Sequence, residues 1–224
     1  MKTSGLSLVV LLCASVLLPG CASYEVVKTP SLATNASSQG PILNQGDLTL
    51  QAKAIHKKEE LEAQFGGDLL KYGVLPVQVY VANTSDEGAI AVRRDDYALI
   101  MPSGEKAMRL NIDQVMDRAG KSFWRTAGWG VAFGIFGAIP SAMNVSNTNK
   151  EMRADFELRQ INDKTLMPGE NLEGILFFNV PKDFDTLNDW KLTLLTEASN
   201  GPLEPLEFPF SGTVALRKKT DDPE

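Results

Sequence analysis

Histidine and cysteine are almost missing from this sequence of 224 residues, which has one His and two Cys. Both cysteines, Cys13 and Cys21, lie near the start, so residues 22–224 cannot form a disulfide, a cysteine-based zinc site or a thiol nucleophile. The single histidine, His56, stands beside two lysines with no serine or cysteine motif nearby. Stability must therefore come from a packed core, and the usual nucleophile–histidine hydrolases are disfavoured.

Positive charge is also in short supply, with 22 Lys and Arg against 28 Asp and Glu and a net charge of −6. Loss of residues 1–20, which contain Lys2 and no acidic residue, would change the net charge to −7. Because a nucleic-acid-binding protein needs a basic face to neutralise phosphates, we predict no nucleic-acid partner.

Two stretches begin like ligand-binding loops but lack essential residues. "AGKS" at 119–122 ends like a phosphate-binding loop, yet Val115 stands where that loop needs its first glycine. "DFDTLND" at 183–189 begins like a calcium loop, but Asn188 replaces the glycine and Leu194 replaces the bidentate glutamate. We predict no metal, no bound cofactor and no enzymatic activity, since a hydrolase would need a carboxylate cluster that the linear sequence does not show.

The first twenty residues have the layout of a secretory signal peptide. A short segment with one positive charge, Lys2, precedes the apolar run "LSLVVLLCASVLL" at residues 6–18. Thirteen residues at ~1.5 Å rise span roughly 20 Å, which is less than the ~30 Å hydrocarbon core of a bilayer. We therefore predict a cleaved signal peptide over residues 1–20.

The apolar run ends in Leu18-Pro19-Gly20-Cys21, which resembles the lipobox of bacterial lipoproteins. Leu18, Gly20 and Cys21 match the pattern, whereas Pro19 departs from the small or β-branched residue that is usual there. The resemblance implies a covalent diacylglycerol on the sulfur of Cys21 and an N-acyl chain on its new amine. Because each buried CH₂ contributes ~0.8 kcal/mol, two or three such chains would make an effectively permanent membrane anchor.

The residues after Cys21 bear on the membrane to which a lipoprotein is sorted and on the tether between its anchor and its domain. Ala22 and Ser23 follow the cysteine, where inner-membrane lipoproteins of Gram-negative bacteria have an aspartate. The resemblance therefore implies an outer-membrane lipid anchor with the protein facing the periplasm. Residues 21–46 are rich in small and polar residues and predict a lipidated flexible tether, with an ordered strand at "YEVVK" as the alternative.

Residues 47–220 show short segments of alternating polarity separated by turn residues, which is typical of antiparallel strands. A charged, helix-forming segment that ends at Gly66-Gly67 predicts a short N-terminal helix. Seven or so strands favour a mainly β domain, an antiparallel immunoglobulin-like β-sandwich. The pattern "GVLPVQVYVAN…LMPGENLEGILFF" resembles uncharacterised envelope lipoproteins with such a sandwich, and the resemblance implies no activity. The predicted strands lie at 47–55, 74–83, 89–92, 97–101, 106–110, 172–180, 190–198 and 206–216.

An apolar insertion, helical or a hairpin, interrupts these strands over residues 119–161. Residues 126–149, "TAGWGVAFGIFGAIPSAMNVSNTN", contain no charged residue, and leaving their large apolar side chains in water would be costly. The predicted membrane or partner contacts are the glycines and aromatic residues of this stretch: Trp124, Gly128, Trp129, Gly130, Phe133, Gly134, Phe136 and Gly137.

Three interpretations of the insertion are open: a core segment, a membrane-dipping element beside the lipid anchor, or a partner-binding patch. The spacing of Gly130 and Gly134 permits close helix packing in lipid, and Trp124 and Trp129 suit a membrane interface. Large exposed apolar patches usually mark interaction sites. We predict a non-enzymatic outer-membrane lipoprotein with a structural or assembly role and a second membrane contact, which implies an envelope protein partner. The alternative is an envelope-tethered module that recruits a protein or ligand through the apolar segment.

"KEMRADFELRQI", residues 150–161 at the end of the insertion, is ambiguous. Met152, Ala154, Phe156 and Leu158 alternate with polar residues, as in a strand, whereas the composition favours a helix. We predict a helix that returns from the insertion.

Overall fold

Antiparallel strands dominate the computed structural model, which describes residues 31–32, 42–119, 145–198, 201–202 and 204–214. The helices are α1 (Lys58–Phe65), α2 (112–119) and α3 (Val145–Arg159), and short 3-10 turns occupy Leu69–Tyr72 and Arg94–Asp96. The strands are β1 (Ile42–Gln45), β2 (Leu48–Ala54), β3 (Val74–Asn83), β4 (Ile90–Val92), β5 (Tyr97–Ile100), β6 (Lys106–Ala107), β7 (Arg109–Leu110), β8 (Lys164–Leu166), β9 (Asn171–Asn179), β10 (Lys191–Leu194), β11 (Glu197–Ala198), β12 (Gly201–Pro202) and β13 (Leu206–Pro209).

Within the described residues these strands form three sheets. The central sheet has the order β1-β2-β3-β9-β7, the second β13-β10-β5-β6 and the third β12-β11-β4-β8. Every pairing between these strands is antiparallel, so the predicted mainly β, antiparallel class is confirmed. Strand β13 also contacts β1 and β2, which brings the second sheet against the central one.

The centre of the fold is the pair of long strands β3 and β9. Val77, Val79 and Val81 of β3 share one face, as their alternation predicts, and all three are buried. The run Ile175–Phe178 of β9 is buried on both faces, because elements of the fold cover the sheet from each side. Such continuous apolar runs identify an interior strand.

The helix predicted to end at Gly66-Gly67 is confirmed as α1. Its C-cap, Gly66, has φ 75° and donates its backbone N–H to the Glu62 carbonyl at 2.9 Å. Glycine suits this left-handed conformation because it has no Cβ. The cap stops the helix, so that the chain can turn back into β3.

The ordered domain begins earlier than the predicted boundary at residue 47. Ile42–Gln45 form β1, which pairs with β2 from Ile42 opposite Gln51 to Gln45 opposite Leu48. Gly46 has φ 55° and makes the tight turn between the two strands. Residues 42–45 therefore belong to the sheet and not to a flexible tether, because this short hairpin supplies the backbone hydrogen bonds of an edge strand.

The segment predicted as one strand at 106–110 divides between two sheets. β6 pairs with β5 in the second sheet, and β7 pairs with β9 in the central sheet. The chain therefore crosses from one sheet to the other at Met108, whose carbonyl accepts the Asn179 backbone N–H at 2.7 Å.

The ambiguous segment 150–161 is helical as far as Arg159, as predicted. In α3 the period of 3.6 places Met152 and Phe156 on the same buried face, while Leu158 is 83 % exposed. The apparent strand alternation is thus incidental, since a strand would bury Leu158 together with Phe156.

The chain that leaves α3 passes closely over β9 at Gly174. A Cβ on Gly174 would lie 2.7 Å from the backbone N and Cα of Ile161, which is closer than carbon atoms can approach. A glycine at this position of β9 therefore allows the helix end and the sheet to touch.

Candidate functional site

The predicted site residues lie outside the part of the chain that the structure describes, and they stay predictions. This holds for the signal peptide and for the set formed by Cys21, Trp124, Gly128, Trp129, Gly130, Phe133, Gly134, Phe136 and Gly137. Two described regions bear on them directly. One is the pair of helices, α2 and α3, on either side of residues 120–144, and the other is the N-terminal segment next to the predicted anchor.

Helix α2, which leads into the insertion, starts with a reciprocal cap. The Asn111 side chain accepts the Gln114 backbone N–H at 2.9 Å, and the Gln114 side chain accepts the Asn111 backbone N–H at 2.9 Å. This arrangement satisfies two backbone donors that the first turn would otherwise leave unpaired. Val115 and Ala119 are buried on the inner face of the helix.

Helices α2 and α3 form what we call the insertion base, and they are held to the sheet and to each other. Phe156 of α3 packs against Phe177 of β9 with ring centroids 5.8 Å apart. Arg153 of α3 forms ion pairs with Asp113 of α2 and with Glu157. Glu157 and Asp113 also raise the pKa of the Arg153 guanidinium. Both helices thus have a fixed position on the domain.

A buried ion pair lies at the junction of α1 and α3. Asp155, 3 % exposed, pairs with Arg159, whose side chain is 12 % exposed. The Arg159 guanidinium lies 5.3 Å from the Phe65 ring centroid and 5.0 Å from that of Phe156, and it donates to the Gln64 carbonyl at 2.9 Å. This pair was not predicted from the sequence, although Asp155 and Arg159 have the i,i+4 spacing at which opposite charges meet on a helix.

The N-terminal segment reaches the central sheet at a group that we call the N-terminal clip: Ser31, Leu32, Gln78 and Glu173. Ser31 Oγ donates to Glu173 Oε2 at 2.6 Å, and the Leu32 backbone N–H donates to Glu173 Oε1 at 2.6 Å. Gln78 Nε2 donates to the same Oε1 at 2.9 Å. Leu32 is 3 % exposed, so an apolar contact accompanies these hydrogen bonds. The clip lies within residues 21–46, which the sequence predicts to be a flexible tether. Residues 31–32 contradict that prediction, because they are bound to the central sheet.

The sequence "RRDD" at 93–96 contains the 3-10 turn Arg94–Asp96, which is tied to two other elements. Arg109 contacts Asp95, and its guanidinium holds the pKa of that carboxyl below its usual range. Burial raises the pKa of Asp96. The Arg94 guanidinium donates to Gln160 Oε1 at 3.0 Å just beyond α3. These contacts fix the bend against the sheet and the helix end, which is a structural role.

The 183–189 turn and His56 are each held by hydrogen bonds within the fold. The 183–189 turn is bonded to the C-terminal segment, where Thr186 Oγ1 donates to the Gly212 carbonyl at 3.1 Å and Asn188 Oδ1 accepts the Gly212 N–H at 3.1 Å. His56 Nδ1 lies 3.1 Å from the Ala54 carbonyl. The described ranges contain no group of three or more His, Cys, Asp or Glu residues that could hold a metal. Among the described helices, none is long and apolar enough to cross a membrane.

Comparison with known proteins identifies no family. No protein-family model matches the sequence, and no curated protein matches it. Solved structures that align with it include the yjhA protein from Bacillus subtilis, at 10% identity and TM-score 0.36, over 69% of this chain and 77% of that chain.

Two further solved structures align at a similar level. A protein of Bacillus subtilis subsp. subtilis str. 168, named "a putative lipoprotein (ycdA)", aligns at 12% identity and TM-score 0.41 over 80% of this chain, which spans 39% of that chain. A functionally unknown protein from Listeria monocytogenes EGD-e aligns at 13% identity and TM-score 0.34, over 78% of this chain and 83% of that chain. Structural similarities with identities and TM-scores this low do not indicate a function.

Proposed function

We propose that the chain is a non-enzymatic lipoprotein of the bacterial outer membrane, anchored through Cys21 and facing the periplasm. The observation that carries this proposal is the sequence Leu18-Pro19-Gly20-Cys21 directly after an apolar run of signal-peptide length. The antiparallel sheets form an immunoglobulin-like sandwich in this proposal, and the domain has a structural or assembly role in the envelope.

The insertion is the second contact with the membrane in this proposal. Of its 24 uncharged residues, 126–149, the first nineteen, 126–144, lie in the chain between α2 and α3, which are each fixed to the domain. The buried residues Val115 and Met152, together with the Arg153–Asp113 ion pair, hold these helices in place. An apolar segment that starts and ends on a rigid base can be presented to a bilayer beside the lipid anchor at little further entropic cost.

Sorting of the lipoprotein gives a direct test. In the wild-type chain Ala22 follows the acylated cysteine, and we expect the protein to sediment with the outer-membrane fraction of a sucrose gradient. Ala22→Asp introduces the residue that marks inner-membrane lipoproteins, so most of the protein should move to the inner-membrane fraction. Ala22→Ser is the matched control and should stay in the outer membrane. An Ala22→Asp protein that sediments like the wild type would contradict sorting by the lipoprotein pathway.

A further inference from the structure

Exposed apolar and cationic side chains surround Asn179, the last residue of β9. The Asn179 backbone N–H donates to the Met108 carbonyl at 2.7 Å, and Arg118 donates to Asn179 Oδ1 at 2.8 Å. A Cβ on Gly73 would lie 3.9 Å from the same Oδ1 and 3.5 Å from Cγ of Lys182. Met108 is 49 % exposed, and Arg118 and Lys182 are also exposed. We call the surface formed by Met108, Arg118 and Lys182 the Asn179 face.

Helices α2 and α3 are joined, along the chain, at the ends that lie towards this face. α2 ends one residue beyond Arg118. In α3, Phe156 packs against Phe177, and beyond the helix Ile161 lies over Gly174. α3 therefore runs from the Asn179 end of β9 towards the start of that strand. The stretch between the two helices thus starts and ends on the Asn179 side of the domain.

The cationic groups of this end of the domain suit a surface of phosphates. Lys71, on the turn that leads into β3, is a third exposed cation besides Arg118 and Lys182. The acidic neighbours of these residues in the sequence are Asp117 and Asp183. Because lysine and arginine side chains are longer than that of aspartate, their charged ends extend further towards a flat surface. Each such cation near an anionic leaflet strengthens binding about fivefold.

We propose that the Asn179 face rests on anionic phospholipid headgroups and, together with the insertion, sets the orientation of the domain on the bilayer. This inference rests on the proposed function, because it requires that the insertion contacts the membrane. In this orientation Met108 meets the boundary between headgroups and acyl chains, and Arg118 and Lys182 meet phosphates. The start of β9 then faces away from the membrane.

The predicted tether is long enough for this orientation. Ser31 contacts Glu173, which precedes Asn179 by six residues of β9, or about 20 Å at ~3.3 Å per residue. The ten residues from Cys21 to Ser31 can extend to about 35 Å. An acylated Cys21 and the Asn179 face can therefore lie in the same bilayer.

The two ends of β9 offer a matched pair of exposed methionines for a test. Met108 lies at the Asn179 face, and Met167, which is 55 % exposed, lies between β8 and the start of β9. Residues 21–224 with Cys21→Ala contain no other cysteine, so Met108→Cys or Met167→Cys can carry one polarity-sensitive dye. The vesicles contain phosphatidylethanolamine with phosphatidylglycerol, or with phosphatidylcholine as the neutral comparison.

On phosphatidylglycerol vesicles the emission of the dye at position 108 should shift to shorter wavelength, whereas the dye at position 167 should keep its aqueous spectrum. Equal shifts at both positions, or no shift at 108 in a chain that binds the vesicles, would overturn the orientation but not the proposed function. A chain that sediments with neither kind of vesicle would overturn the second membrane contact on which the inference rests.

Co-sedimentation with the same vesicles tests the role of the charges. Arg118→Gln and Lys182→Gln should each weaken binding to phosphatidylglycerol vesicles about fivefold and leave binding to neutral vesicles unchanged. Lys164→Gln is the matched control, because Lys164 is exposed near the start of β9, where it donates to the Asn171 carbonyl at 3.3 Å. Equal weakening in Lys164→Gln and Lys182→Gln would show that the net charge of the chain attracts the lipid, and it would overturn the assignment to the Asn179 face.

Discussion

Cys21→Ala should abolish incorporation of labelled palmitate into the protein. The resemblance to the lipobox places the diacylglycerol on the Cys21 sulfur, and alanine offers no atom that could form this thioether. The expected change is a complete loss of label and not a partial one. Metabolic labelling followed by immunoprecipitation of the chain measures it.

Cys13→Ala is the matched control for this experiment. Cys13 lies inside the apolar run of the predicted signal peptide and would leave with it, so this variant should label like the wild type. Label that persists in Cys21→Ala, or label that is lost in Cys13→Ala, would contradict the assignment of Cys21 as the lipidated residue.

A second large effect, on the free energy of unfolding, is expected from Arg159→Met. This substitution breaks the buried ion pair between Asp155 and Arg159 on α3. Asp155 would stay buried without its guanidinium partner, and the cation–π contacts with Phe65 and Phe156 would be lost. Removing one partner of a buried pair costs about 3–5 kcal/mol of the free energy of unfolding. Urea denaturation of the chain, followed by tryptophan fluorescence, measures this difference.

Arg153→Met makes the same chemical change six residues earlier on the same helix. Arg153 is partly exposed and its ion pairs with Asp113 and Glu157 are screened by water, so the urea midpoint should change far less than in Arg159→Met. A double variant, Asp155→Leu with Arg159→Met, should recover part of the lost stability. An equal decrease in the free energy of unfolding in Arg159→Met and Arg153→Met would contradict the claim that burial makes the Asp155–Arg159 pair important for stability.

Local sequence patterns were sufficient to predict the long strands. The alternation in 74–83 and the apolar run in 172–180 each correspond to a strand, β3 and β9, because side-chain period and burial agree there. Gly66 likewise identified the end of α1. The patterns did not show that 106–110 would divide between two sheets, since this depends on the crossing of the chain and not on its composition.

Helix α2 was missed although the sequence contains a signal for it. Asn111 and Gln114 have capping-box spacing, and Ile112, Val115 and Ala119 recur at helical intervals. These two signals together predict α2.

The N-terminal clip could not be predicted from the sequence. Glu173 contacts residues that lie 141 and 142 positions away, and nothing local to "SLA" or to "NLEG" indicates this pairing. Low complexity and small residues predicted a flexible tether over 21–46, and composition alone cannot show where such a segment touches a distant strand. The correction matters because it shortens the span between the predicted anchor and the domain.

Membrane binding in the absence of the lipid shows whether the chain contacts the bilayer at a second place besides Cys21. The mature domain is exported with a cleavable, non-lipidating signal and with Cys21→Ala, and the membranes are then washed with carbonate. If the insertion is a second membrane contact, the protein stays in the membrane pellet, held by the apolar segment Ala127 to Met143. Release of a soluble, folded monomer would contradict it and would assign that segment to the core or to a partner site.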